Sequence, residues 1–247
     1  MNVFESKLLK VKTIFLLNIV LSFSYILVYG LSLAELAISL FIFFLMNCLG
    51  MAVTFHRYYS HRSFKFKHKS LEYICATLGM ISCSGSALGW AGIHRHHHKH
   101  SDTPADPHQA NRGLLSMLSI DYYYSPSSRI IIDLLKDKFI LLSHKYFFVP
   151  AFVYCSILFV TLGFSGLMIG FSIPAFLTMF TQVFTNYINH KNKNDFTPKN
   201  VWWMNFFNFG DGWHKNHHDN PRSFTSSTKW YEIDVSGVMI KYVLGKV

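Results

Sequence analysis

The chain has 247 residues, 51% of them hydrophobic and 17% aromatic but only 15% charged, against the roughly one quarter charged residues of an average soluble domain. That composition argues against an ordinary soluble domain and against a disordered polyelectrolyte, and it points to a membrane. With 23 Lys and Arg against 13 Asp and Glu, the formal charge of +10 suits an anionic lipid surface or an anionic substrate as well as nucleic acid, so the placement of the charges decides.

No Lys or Arg lies between Lys12 and Arg57, or between Lys145 and Lys191. Each gap holds apolar residues enough for two helical crossings of about 20 residues. The first hairpin is predicted at 13–30 and 34–55, turning at "YGLSLAE"; the second at 148–164 and 170–189, turning within "LGFSGLMIG". Neither turn carries positive charge, so the positive-inside rule puts both turns outside. The N-terminus and the segments 56–147 and 190–247 then share the cytoplasmic side of a bacterial inner membrane or endoplasmic reticulum. Residues 1–30 have the basic start and apolar run of a signal peptide, but the run is long and no small-residue cleavage site follows, so it reads as a first crossing.

The apolar stretch 71–92 is long enough to cross. Crossing would separate the histidines before it from those after it, and its interior "SCSGSALG" is poor in bulky apolar residues, so it is expected to be a buried or re-entrant helix. Residues 109–147 are expected to lie along the membrane surface. Cys48, Cys75, Cys83 and Cys155 sit in apolar segments without C-x-x-C spacing and read as small core residues. Repeats and Pro-rich linkers are absent, which gives one domain over 1–247. The predicted fold class is all-α integral membrane: four transmembrane helices in two hairpins carrying a cytoplasmic, histidine-rich helical cap.

The chemistry is concentrated in histidine. H-x-x-H-H occurs twice, at His94, His97 and His98 in "HRHHHKH" and at His214, His217 and His218 in "WHKNHH". Positions i, i+3 and i+4 share a helix face, so each triplet is expected to converge on one point as metal ligands. His56 and His61, in "FHRYYSH", would point about 140° apart on a regular helix; either the helix breaks between them or they serve two ions. Asn186 and His190 stand one turn apart at the end of the last crossing. His68 and His144 read as interfacial residues, His96 and His100 as off the shared face, and His108 as a hydrogen-bonding neighbour of the site. Nine histidines and one asparagine are too many for one ion and suit two. None of the four glutamates, Glu5, Glu35, Glu72 and Glu232, precedes a ligand-spaced His, which argues against a carboxylate-bridged di-iron bundle and an H-E-x-x-H protease. Imidazole alone suits iron, zinc or copper, and redox work on a membrane lipid favours iron.

"HRYYSH", "HRHHH" and "HKNHH", separated by hydrophobic hairpins, resemble the three histidine boxes of the membrane fatty-acyl desaturases. "HRSF", "ADPH" and the N-x-x-x-H of Asn186 and His190 are similar in particular to the Δ9 acyl-CoA type related to stearoyl-CoA desaturase. The resemblance covers about residues 10–235. It implies two irons held by His56, His61, His94, His97, His98, His190, His214, His217 and His218, with Asn186 reaching one through water. It also implies that Trp90 borders the acyl tunnel. The implied reaction is O2-dependent insertion of a cis double bond, at Δ9, into a long-chain acyl substrate, with acyl-CoA the expected carrier. No cytochrome b5 signature of the H-P-G-G kind is present, so the electron donor is expected to be a separate protein of ferredoxin, rubredoxin or cytochrome b5 type. A membrane di-iron hydroxylase or ketolase would use nearly the same boxes and differ only in product. A metal transporter would instead space its ligands along a transmembrane route. The remaining partner is the bilayer; nothing in the pattern calls for nucleic acid.

Overall fold

The computed structural model describes residues 3–118, 127–192 and 195–247. Helix α1 (Val3–Tyr29) and helix α2 (Leu33–Phe44) form the first hairpin. Gly30 takes φ +70° between them, a left-handed conformation that glycine adopts without steric cost and that ends helices. Ser32 then starts α2: its Oγ accepts the Glu35 N–H at 3.3 Å, while Glu35 Oε2 accepts the Ser32 N–H at 2.8 Å. This reciprocal cap satisfies donors that a helix start leaves orphaned, and it lies within the expected turn.

α2 does not stop near residue 55. It runs on as a π-helix over Leu45–Ser60, in which backbone bonds reach i→i+5, and so carries His56 with it. After the strand β1 (Lys65–Phe66), helix α3 (Lys69–Ile81) packs back along the π-helix. Gly50 and Gly79 make that approach possible. A Cβ on Gly50 would lie 2.4 Å from the Gly79 nitrogen and 2.7 Å from its Cα, and one on Gly79 would lie 2.6 Å from Phe55 Cε1. Backbone cannot yield as a side-chain tip does. Gly50→Ala is therefore expected to push α3 off the π-helix at a cost of about 1–3 kcal/mol, read as a lowered thermal midpoint; an unchanged midpoint would show that the two helices can separate freely.

Helix α4 (Ala87–His100) follows a sharp bend in which Cys83 and Gly85 have φ of 59° and 99°. The apolar stretch 71–92 is thus two helices, and neither belongs to the stretches long and apolar enough to cross a membrane among the described residues. The short helices α5 (Leu114–Leu118) and α6 (Lys138–Lys145) lie in the segment expected along the membrane surface, of which residues 119–126 fall outside the described residues. Phe15, Met51, Phe55, Tyr59, Leu134 and Ile140 join these parts to α1 in one buried core.

Among the described residues, three stretches are long and apolar enough to cross a membrane: Val11–Tyr29, Leu33–Ser60 and Val149–His190. Their outer faces carry Leu27, Leu33, Phe152 and Val160 at 73–86% exposure, apolar area that suits lipid rather than water. The third stretch is not one rod. Helix α7 (Val149–Leu167) breaks at Gly163, with φ +66° and ψ −160°, and the chain folds back. Leu158 then lies against Gly170, and Tyr154 Oη donates to the Gly170 carbonyl at 3.0 Å. That carbonyl needs the bond. Pro174, in helix α8 (Ile173–His190), has no N–H to offer the residue four positions back. The intervening Met168–Ser172 winds as a π-helix, and Ser39 Oγ donates to the Ile169 carbonyl at 2.9 Å. In lipid such side-chain donors replace the water that would otherwise satisfy a proline break. The chain closes with α9 (Asn205–Asn208), α10 (His214–Asp219), α11 (Val235–Val238), a last π-turn and the strand β2 (Gly245–Lys246), which pairs antiparallel with β1.

Candidate metal centre

The histidines of α2, α4, α8 and α10 meet in two clusters. His56, His61, His94, His98 and His217 form one, and His97, His190, His214 and His218 the other; within each, one ring nitrogen per residue lies within 4.8 Å of all the rest. In the first, His56 Nε2 is 2.9 Å from His217 Nε2, and His61 Nε2 is 2.9 Å from His94 Nε2. In the second, His214 Nε2 is 2.9 Å from His190 Nε2 and 3.1 Å from His218 Nε2. The clusters abut, with the His98 ring stacked on that of His218 at 4.2 Å.

The π-helix answers the difficulty posed by His56 and His61. The His61 N–H bonds the His56 carbonyl at 3.3 Å, an i→i+5 link. The wider turn brings the two rings onto one side, with centroids 5.1 Å apart.

The expectation that each H-x-x-H-H triplet converges on one point is corrected. His94 and His98 enter the first cluster while His97 enters the second; His214 and His218 enter the second while His217 enters the first. At about 100° per residue, i and i+4 differ by about 40°, whereas i+3 and i+4 differ by about 100°. A pair at i and i+4 can aim at one point, and the i+3 member then reaches past it to the neighbouring point. The two boxes are therefore interlocked, each contributing to both clusters.

Three carboxylates set the ring orientations. His56 Nδ1 lies 3.1 Å from Asp211 Oδ2, His97 Nδ1 2.8 Å from Asp106 Oδ1, and His190 Nδ1 3.0 Å from both oxygens of Asp102. A carboxylate only accepts, so each Nδ1 carries the proton and each Nε2 presents a lone pair. His97 Nε2 is buried with no hydrogen-bond partner, a costly state for a polar atom unless a cation takes the lone pair. The donor set fits a divalent transition metal bound through neutral imidazoles. These carboxylates are aspartates, none of them among the four glutamates Glu5, Glu35, Glu72 and Glu232. "SDTPADPH" after the second box and "GDGWH" before the third were their visible signal.

The remaining candidates fall around the clusters. The Trp90 ring stacks on His94 at 4.8 Å and, with His108, Gln182 and Asn186, lines a small cavity. Asn186 Nδ2 donates to the Gln182 carbonyl at 3.2 Å. The His108 backbone N–H donates to Asp106 Oδ1 at 2.7 Å, so His108 steadies the carboxylate that holds His97. His144 does more than the interfacial reading allows: its Nδ1 lies 2.6 Å from Ser86 Oγ, which caps α4.

Burial and neighbouring rings hold several of these imidazoles neutral. Burial first, and the surrounding rings second, push His61, His94, His214 and His217 well below the ordinary imidazole range. Burial likewise takes His98 down to about 2 and His108 to about 3. An unfolded imidazole takes up its proton near pH 6.5. Below that pH the unfolded chain binds more protons than the folded one, and stability is lost as pH falls. The metal-free protein is expected to melt progressively lower as pH drops from about 7.5 to about 5, by about 1.4 kcal/mol per pH unit for each histidine held neutral. A flat midpoint over that range would contradict the buried, uncharged rings.

Residues 32–234 match the profile of the fatty acid desaturase family. The chain is similar to the sn-1 stearoyl-lipid 9-desaturase of Synechocystis sp., at 32% identity over 79% of this chain and 64% of that protein. It is similar to the enzyme of the same name from Anabaena variabilis, at 31% over 85% of this chain and 80% of the relative. It also matches the Delta-9 acyl-lipid desaturase 2 of Arabidopsis thaliana, at 30% over 82% and 69%. The chain spans a little under two thirds of the Synechocystis relative. A profile that runs from the capped start of α2, through every histidine in the two clusters, to Asp234 leaves one conclusion: this chain belongs to the fatty acid desaturase family.

Proposed function

We propose that the chain desaturates a fatty-acyl chain with O2, inserting a cis double bond at Δ9, at a centre of two irons. The observation that carries this reading is the pair of abutting all-imidazole clusters, one of five and one of four histidines, backed by Asp211, Asp106 and Asp102. Iron, when bound, supplies the oxidation that removes one hydrogen from each of two adjacent methylenes while O2 is reduced to water. The chain's own residues do the placing. His56, His61, His94, His98 and His217 hold one ion, and His97, His190, His214 and His218 the other, with Asn186 beside them through water. Trp90, stacked on His94, forms a wall for the acyl chain. Alignment of this kind is worth about 7–11 kcal/mol of a barrier, and burial of the substrate favours binding by about 0.8 kcal/mol per methylene.

The relatives named above are described as acting on lipid-linked acyl chains, and this favours a glycerolipid carrier over the acyl-CoA suggested by the motifs. A single membrane domain, with α1, α2 and both arms of the α7–α8 hairpin crossing, would put the histidines on the cytoplasmic side by the charge pattern. Electrons would come from a separate ferredoxin, rubredoxin or cytochrome b5 type of protein. Expression in a host lacking its own desaturase, followed by fatty-acid profiling by lipid class, is expected to give 9-monounsaturated chains first in intact glycerolipids. Hydroxylated or oxo chains would favour the hydroxylase or ketolase reading instead, and label appearing first in acyl-CoA would restore CoA as the carrier.

A further inference from the structure

A second feature lies where the π-helix hands over to β1 and the start of α3. A groove of ≈ 420 Å³ there is edged by Arg62, Lys65, Lys67 and Lys69, with Glu72 the one carboxylate. The charges do not balance. Glu72 Oε2 is taken by Lys69 Nζ at 2.8 Å and by Tyr58 Oη at 3.1 Å, and Arg62 Nε is taken by Asp133 at 2.9 Å. Lys67 Nζ has only a neutral acceptor, the Tyr242 carbonyl at 3.0 Å. Lys65 stands directly across the β1–β2 ladder from Lys246, and like charges in facing positions destabilise a strand pair. Among the described residues neither Lys65 nor Lys246 has a side-chain ion-pair or hydrogen-bond partner.

The surroundings indicate what would balance them. Tyr58, Phe64 and Phe66 form an aromatic floor, with ring centroids 4.8–5.4 Å apart, against which lysine stems can lie with their heads free. Beside the groove, Tyr242, whose carbonyl takes Lys67, and Val247, next to Lys246, are exposed by 65% and 63%. An apolar surface directly beside unpaired ammonium groups matches the boundary between acyl chains and headgroups. We propose that this groove binds the phosphate of an anionic glycerophospholipid, with Lys65 and Lys67 on its oxygens, Lys246 adding charge across the ladder, and the acyl chains passing over the apolar surface beyond. None of the residues lining the groove belongs to a histidine cluster, and the site does not rest on the desaturase reaction.

The test uses the full chain, iron-loaded and purified in detergent, with phosphatidylglycerol as the probe and native mass spectrometry as the readout. The parent should retain one phosphatidylglycerol in preference to phosphatidylcholine, whose choline already neutralises its phosphate. Lys65→Gln with Lys67→Gln should weaken that binding by about tenfold or more, and Lys246→Gln, at an exposed strand end, should act in the same direction. The charge-matched control Lys136→Gln with Lys138→Gln should bind as the parent does. Iron content and a cooperative lipid-free melt should be retained in all variants, which separates loss of the site from misfolding. Equal binding by the parent and the Lys65, Lys67 variant would overturn the proposal. So would equal weakening by the control, which would reduce the effect to net charge, or displacement of the lipid by inorganic phosphate, which would make the groove a free-anion site.

Discussion

Replacing His217 with alanine is expected to abolish desaturation, by at least about 100-fold, the upper end of what loss of a mere supporting partner costs a metal site. His217 stands in the first cluster, with its Nε2 2.9 Å from those of both His56 and His98, so it ties α2, α4 and α10 to one point. His97→Ala should be as severe at the second cluster, where it leaves three histidines and strips Asp106, buried to 1% exposure, of its imidazole partner. Because each box feeds both clusters, the two variants make a test that whole-box deletion cannot. Iron analysis with Mössbauer spectroscopy should show different residual iron in the two proteins. Identical residual spectra would return the triplets to a shared single point. His68→Ala, at an exposed helix start where the side chain makes no capping bond, should keep iron and rate.

Much of this site was legible before any coordinates. Imidazole is costly to crowd, so H-x-x-H-H occurring twice could hardly be incidental, and all nine histidines expected as ligands fall in the two clusters. The hairpin turns were legible because Gly30 and Gly163 occur where lysine and arginine do not, and both take left-handed φ. The partition of the boxes was not legible. It depends on where two centres sit relative to a helix axis, and spacing alone fixes only angles about that axis. The pairing of His56 with His61 needed a π-helix, whose i→i+5 bonding has no compositional signature comparable to a cap or a turn. The roles of Asp102, Asp106 and Asp211 are not legible in the sequence for a chemical reason. They act on the far nitrogen of each imidazole, so they stand at no ligand spacing from the boxes they support.

Arg57→Met is expected to cost about 3–5 kcal/mol of stability, the penalty for leaving buried charge without its partner, and to loosen the first cluster. Arg57 is 1% exposed. Its guanidinium donates to Asp211 Oδ1 at 3.0 Å and to Asp234 Oδ2 at 2.9 Å. Asp211 turns its other oxygen to His56 Nδ1 at 3.1 Å. Asp234 Oδ1 accepts the Gly237 N–H at 2.9 Å, and its Oδ2 accepts the Ser226 N–H at 2.8 Å. One side chain thus joins a metal-facing histidine to the start of α11 and the loop before it. Methionine fills similar volume but strands two carboxylates. Without its cation Asp211 has every reason to move toward solvent, and His56 loses the partner that fixes its tautomer. Lysine keeps one charge yet offers a single point in place of a planar fork, so Arg57→Lys should reach one carboxylate and recover part of the stability. The ordering parent, then lysine, then methionine should hold in thermal midpoint and in iron retained by the first cluster. A methionine variant with parental melting and full iron would mean that the two aspartates find other partners, and that the histidines orient without Arg57.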